Sequence, residues 1–583
     1  MFKKSIAAAT LSALAIVGIV GSGIGSAPAE ASRTDVGASY ATISGIGSTW
    51  SANAIQQWAR NVLSNYQWKV NYSDAGSSAG RQAFALPNGG ADFAVSEIPY
   101  ALKNSDSVDP VPARHFAYMP IVAGGTSFMY NLVIGGKRVT NLRLSGATVS
   151  KIFSDAITKW NDPAIAADNP ALALPAIPIV PVVRSDGSGT SAQLTAWMRS
   201  QFPDVYAGLC QKAGKPGVGG SSLCGITSNF PALPGFKAQS GSNGVAGYVA
   251  QPQYVGSITY VEYSYALNSH FPVAKILNAA GYYTEPTAGN VAVALLKAQI
   301  NQDQSSTDYL TQILGAVYTN PDPRTYPLSS YSYMLVPTAL EYGFTLNKGK
   351  TLAAFANYFL CQGQQDADVL GYSALPINLA QAGLDQVLKI PGGDPTSVNI
   401  AKCNNPTFSS DGSNKLATTA PQPQACDKQG KTQCATGTGG AANVPTSGSK
   451  GGSSGSSGSG SSGASGSGDP SDGSTESSSG SGLSTSDVAS DTRPLTVAGK
   501  PMTIATSTVS ATPGLIAAGV AALLVLGAIF GPPIMSRVRP RDRPRVASSK
   551  RPKRRVAGSA TPKIHLRSVR RERAPTPSST EGS

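Results

Sequence analysis

The segment Arg184-Ser185-Asp186-Gly187-Ser188-Gly189-Thr190-Ser191 gathers a guanidinium, a carboxylate, four hydroxyls and two glycines. Such a set suits a tetrahedral oxyanion. The Arg fork matches a pair of anion oxygens, and hydroxyls add rotatable donors. Glycine lets the backbone come close to a ligand. The neighbouring residues set the frame. Ile177 to Val183 is an apolar run punctuated by Pro and reads as a buried strand. Ala192 to Phe202 carries Leu194, Trp197, Met198 and Phe202 on one side and reads as a helix. The hydroxyls therefore fall at a helix N-terminus, where unpaired N–H groups and a partial positive charge favour an anion.

The same order of strand, small-residue turn and helix start occurs twice more. Gly45-Ile46-Gly47-Ser48-Thr49-Trp50-Ser51 feeds a helical pattern from Asn53 to Tyr66, with Ile55, Trp58, Ala59, Val62, Leu63 and Tyr66 at helical spacing. The short strand Val70 to Tyr72 leads into Ser73 to Gly80. A Ser or Thr at a helix start is also an ordinary cap, so each segment taken alone reads equally as a capped helix.

Taken in order, these motifs resemble those of the PstS-type phosphate-binding proteins, the receptors of phosphate ABC importers. Gly45-x-Gly47-x-Thr49-Trp50 resembles the family's GxGxTFP loop. Asn71-Tyr72 followed by Gly76-Ser77-Ser78-Ala79-Gly80 resembles NYxxxGSSGG, and Asp92-Phe93-Ala94-Val95-Ser96-Glu97 resembles DFGASD. Arg184 to Ser191 resembles RxDGSGTS, the most specific of the set. Ile152-Phe153, Lys159-Trp160-Asn161-Asp162-Pro163, Gly256 to Tyr263 and Tyr326-Pro327-Leu328 also fit.

The resemblance implies an α/β fold of two lobes, a Venus-flytrap with mixed sheets. One lobe would take residues 40–125 and 267–393, the other 126–266, with the anion in the cleft between them. It also implies roles. Thr49 would give hydroxyl and backbone donors, and Trp50 a backbone N–H and a wall. Ser77 would donate from the second loop, Arg184 would make the charged contact, and Asp186 would orient it. Ser188, Gly189 and Thr190 would donate at the helix N-terminus. Glu97 stands where the family has the Asp that accepts the proton of monohydrogen phosphate. A buried carboxylate favours a protonated anion over sulfate. Glu, longer by one methylene, could keep that role or turn away and loosen the selectivity.

The rest of the 583-residue chain concerns address. Residues 1–31 read as a signal peptide: Lys3 and Lys4, an apolar run from Ile6 to about Val20, then Ala29-Glu30-Ala31. Residues 394–512 read as a flexible linker, rich in Pro and Thr and then almost wholly Gly and Ser. Its root-mean-square reach would be about 55–60 Å. Pro513 to Met535 is uncharged and long enough for one transmembrane helix. Residues 536–583 form a basic tail, with 15 Lys/Arg against 3 Asp/Glu from Arg537 onward. That excess places the tail in the cytoplasm and the binding domain outside. It also carries most of the chain's net charge of +14, so the charge does not argue for nucleic acid.

Six cysteines in an exported chain suggest disulfides. Pairing of sequence neighbours is favoured: Cys210–Cys224, Cys361–Cys403 and Cys426–Cys434. The expected partners are inorganic phosphate, the permease subunits of an ABC importer and the membrane. No cofactor or metal is expected, and the chain is expected to be a monomer. A surface sensor or adhesin without transport is the alternative. A phosphohydrolase using Ser188 is a further one, but it lacks an evident base, since the mature ectodomain holds only His115 and His270.

Overall fold

The computed structural model describes residues 39–446 apart from 88–89 and 107–108. Eight strands form one mixed sheet: β1 (Ile43–Gly47), β2 (Val70–Ser73), β3 (Phe93–Ser96), β4 (Phe116–Tyr130), β5 (Val180–Arg184), β6 (Lys237–Gln239), β7 (Ser257–Glu262) and β8 (Ser329–Pro337). Their order is β2-β1-β3-β8-β4-β7-β5-β6. β1 runs parallel to β2 and β3, and β5 runs parallel to β6 and β7. Between these groups β4 pairs antiparallel with β8 along Phe116 to Gly125, then with β7 along Thr126 to Tyr130. One long strand thus belongs to both lobes.

Two apolar cores flank this crossing. The first packs Ile55, Trp58, Phe93, Val95, Met334, Phe355 and Phe359. The second packs Phe128, Phe153, Trp160, Val183, Trp197, Ile258 and Tyr260. Helix α1 (Ala52–Tyr66) buries Ile55, Trp58 and Val62 of the stripe its sequence spacing predicts, while Leu63 and Tyr66 are exposed. Helices α2 (Ser77–Ala85) and α3 (Gly189–Gln201) start directly after the small-residue turns.

Two expected boundaries need correction. The second lobe does not stop at Ala266. Lys275–Leu277 pairs with Arg143–Leu144, and Ala274, Ile276, Tyr326 and Leu328 lie in the second core. Nor does a linker begin at residue 394. The chain stays packed to residue 446, with Thr407 and Thr438 fully buried. Thr407 Oγ1 donates to Leu375 O at 2.7 Å, and Thr140 Oγ1 donates to Val444 O at 2.6 Å. Polar hydrogen bonds and disulfides hold this segment, so a search for apolar periodicity passes over it. Cys361–Cys403 ties it to the first lobe, and Cys426–Cys434 closes a loop whose carbonyls accept from Arg143. Cys210–Cys224 is the third disulfide.

No helix among the described residues is long and apolar enough to cross a membrane. The expected signal peptide, the span at 513–535, the basic tail and the Gly/Ser-rich part of the linker lie outside the described residues.

Candidate functional site

Arg184 ends β5, and its side chain is almost wholly buried. Nε donates to Asp186 Oδ1 at 2.7 Å, Nη2 donates to Asp186 Oδ2, and Nη1 reaches Ser242 Oγ at 3.3 Å. A guanidinium has five N–H groups, so one on each of Nη1 and Nη2 remains for a ligand. Asp186 also accepts the Gly241 N–H at 2.8 Å. Burial alone would raise the Asp186 carboxyl, but the hydrogen bonds and charge of Arg184, with the Gly241 N–H, hold it below its ordinary value. Asp186 is thus the group that fixes the fork.

At the start of α3, Ser188 is the cap. Its Oγ accepts the Ser191 N–H at 3.2 Å, and its own N–H donates to Ser228 O at 2.9 Å. The Gly189 N–H donates to Ser77 Oγ at 3.1 Å. Ser188 and Gly189 therefore hold the helix start in place. The N–H groups of Thr49, Ser77 and Thr190 have no acceptor among the described residues. All three residues are buried, and each begins or precedes a helix. Buried N–H groups without an acceptor are rare in folded proteins. These three N–H groups, like the two remaining N–H groups of the fixed Arg184 guanidinium, are left to donate elsewhere.

Glu97 follows β3 and is 1% exposed. Oε1 accepts from Ser48 Oγ and Ser332 Oγ, each at 2.5 Å, and Oε2 accepts from Ser77 Oγ at 2.7 Å. The carboxylate does not turn away. A Cβ added at Gly189 would lie 2.1 Å from Oε2, so this glycine is what admits the longer acid against α3. Oε2 takes a single hydroxyl from the protein and keeps a lone pair for another hydrogen bond.

Trp50 is placed differently from its expected role. Its N–H donates to Ser48 Oγ at 2.9 Å, and its indole packs against Gly124 and edge-on to Tyr372. It shapes the loop from behind, while the Tyr372 hydroxyl donates to its carbonyl at 2.6 Å. Thr49 Oγ1 lies 2.7 Å from Ser242 Oγ, and the Tyr265 hydroxyl holds the Thr49 carbonyl at 2.5 Å.

The two lobes meet through these groups. Ser78 N–H donates to Gly187 O at 3.0 Å, Gln193 Nε2 donates to Glu97 O at 2.8 Å, and the Thr49–Ser242 and Gly189–Ser77 contacts also join one lobe to the other. Three contributors escaped the sequence reading. Ser48 lies inside a quoted motif without an assigned role. Ser242 follows β6 at the start of a helix, Gly241–Val249, a fourth use of the strand–turn–helix signal. Ser332 sits in β8 beside a register shift at Ser332/Tyr333, and a bulge of that kind re-aims a side chain without leaving a sequence signal.

A family model described as a PBP superfamily domain matches residues 30–362. The phosphate-binding protein PstS of Xylella fastidiosa (strain Temecula1) is 30% identical over 341 residues, covering 58% of this chain and 83% of that protein. The chain belongs to the PstS phosphate-binding protein family. PstS proteins of Haemophilus influenzae and Methanocaldococcus jannaschii are 29% and 30% identical, covering 90% and 84% of their own lengths. The loops whose residues resemble this family's motifs, including the departures at Trp50, Ser51 and Glu97, come together here.

Proposed function

We propose that this chain captures inorganic phosphate between its lobes and delivers it to an ABC-type importer. One observation carries the reading: Ser77 joins the Glu97 carboxylate to the start of α3, while the N–H groups of Thr49, Ser77 and Thr190 and two N–H groups of the fixed Arg184 have no acceptor among the described residues. Monohydrogen phosphate meets both halves of this site, its oxygens on the donors and its hydroxyl on Glu97 Oε2. Sulfate leaves Glu97 facing an anion with no proton to offer. A site built to bond a hydroxyl rejects an analogue lacking it by about 10⁴–10⁵-fold.

Thr49, Ser77 and Glu97 follow strands β1, β2 and β3 of the first lobe, and Arg184, Thr190 and Ser242 end or follow β5 and β6 of the second. An anion that needs both sets favours closure, and closure is the form presented to a permease. The finer address extends this reading: a cleaved leader ending at Ala31, one span at 513–535, an outward-facing monomeric binding domain and an inward basic tail. Membership in a family of phosphate-binding proteins favours binding over hydrolysis. Equilibrium dialysis with radiolabelled phosphate tests the reading. Wild type retains the anion and Arg184→Ala does not. Equal retention by both would overturn it.

A further inference from the structure

The loop from Cys210 to Cys224 has no part in the anion site, yet its far end reaches the other lobe. It leaves helix α4 (Pro203–Lys212) and is stapled back by the Cys210–Cys224 disulfide. Gly225 O then accepts the Tyr206 hydroxyl at 2.6 Å, and the Thr227 N–H donates to Thr195 Oγ1 at 3.0 Å. Residues 224–227 are therefore fixed to the second lobe. Across the cleft, the Ile226 N–H donates to Asn104 O at 2.7 Å, and the Asp106 N–H donates to Ile226 O at 3.0 Å. Ser105 Oγ adds a bond to Ile226 O at 3.1 Å, and Lys215 Nζ lies 3.2 Å from Asp106 Oδ2. Ser105 and Ile226 form a parallel β-bridge. Asn104 and Asp106 follow Tyr100, which belongs to the first core.

We infer that residues 224–226 are a latch, a strip of backbone that pairs with residues 104–106 on closure and sets how slowly the bound anion leaves. Each of these cross-lobe bonds needs the lobes together, so separation must break them all. The latch is also wired to the anion site. Two residues beyond Ile226, the Ser228 carbonyl accepts the N–H of Ser188, the cap of α3. The latch strip and that helix start are thus carried on the same lobe and reach the first lobe together. The inference rests on the proposed anion-driven closure and adds to it a kinetic element outside the ligand contacts.

Gly225 supplies a selective test. A Cβ there would lie 2.2 Å from Asp106 N, 2.5 Å from Ser105 C and 2.7 Å from Asp106 Cα. All three atoms belong to the opposite lobe, so Gly225→Ala obstructs the latch while sparing the second lobe's packing. Gly208→Ala, on α4 with nothing within 4 Å, is the control. In the full-length chain, radiolabelled phosphate chased with unlabelled phosphate should leave Gly225→Ala about 10–100-fold faster than wild type or the control, the loss of two or three hydrogen bonds. The association rate should change by no more than about threefold, since affinity changes of this kind fall on dissociation. Amide exchange reads the latch independently of the ligand's identity. Ile226 and Asp106 should be protected in wild type and unprotected in Gly225→Ala. Release within about threefold of wild type, or unprotected Ile226 and Asp106 amides in the wild-type chain, would overturn the latch. If wild type retains no phosphate, the phosphate reading fails, and the two amides alone then decide the latch.

Discussion

Replacing Glu97 by Gln separates charge from shape at the point where the anion's proton is read. The side chain keeps its length, and its carbonyl oxygen can still take hydroxyls from Ser48 and Ser332. What changes is the group beside Gly189, where an acceptor oxygen becomes an NH₂ donor or loses its charge. For phosphate, the variant forfeits a charge-assisted hydrogen bond worth about 1.5–3 kcal/mol, a loss of roughly 10- to 150-fold in affinity. For sulfate, it removes a buried carboxylate facing an anion that offers no proton, so sulfate should bind more tightly by a similar factor. The ratio of the two affinities should therefore collapse by about 10²–10⁴-fold. Competition of each anion against radiolabelled phosphate, at neutral pH, measures that ratio for wild type and Glu97→Gln. A ratio that stays within about threefold of wild type would refute the assignment of Glu97 as the proton acceptor.

Further outcomes follow from other parts of the same geometry. Gly189→Ala should weaken phosphate binding by about 5- to 150-fold with an unchanged far-ultraviolet circular dichroism spectrum, because its Cβ would meet Glu97 Oε2 at 2.1 Å. Cys361→Ser with Cys403→Ser opens a loop of sequence separation 42 and should lower stability by about 4 kcal/mol in the chain-entropy estimate, read from denaturant melts. Asp186 has a folded-state pKa below its ordinary 3.8, so its contribution to stability is complete above that value and lost as pH falls through the lower folded value. Asp186→Asn should flatten that acid limb of the stability profile, and it should also weaken phosphate binding at neutral pH by loosening the Arg184 fork.

The parts of this protein that recur as local patterns could be read from the residues. Arg184, Asp186 and the turn to Thr190 announce a strand, a small-residue loop and a helix start, and the structure forms all three. Ser77 and Thr49 were legible for the same reason. Ser332 and Ser242 were not, because what makes them matter is distance. Ser332 is 235 residues from Glu97 in sequence, and Ser242 is 193 from Thr49, so only the sheet order brings them together. Trp50 was assigned a place in the cleft wall because it stands in a ligand loop, but its bulk is accommodated against Gly124. The stretch from Asp394 to Thr446 looked like linker because its Pro, Thr and Gly content lacks an apolar period. Its anchors are Cys403, Asn405, Thr407 and Thr438, whose bonds leave no period to find.

The central claim is that this site takes a protonated tetrahedral anion through both lobes. Calorimetric titration of the wild-type chain with phosphate, and separately with sulfate, at neutral pH tests it most directly. The account predicts tight one-to-one binding of phosphate and affinity for sulfate lower by about 10⁴-fold or more. Equal affinity for the two anions, or no heat with phosphate, would contradict it.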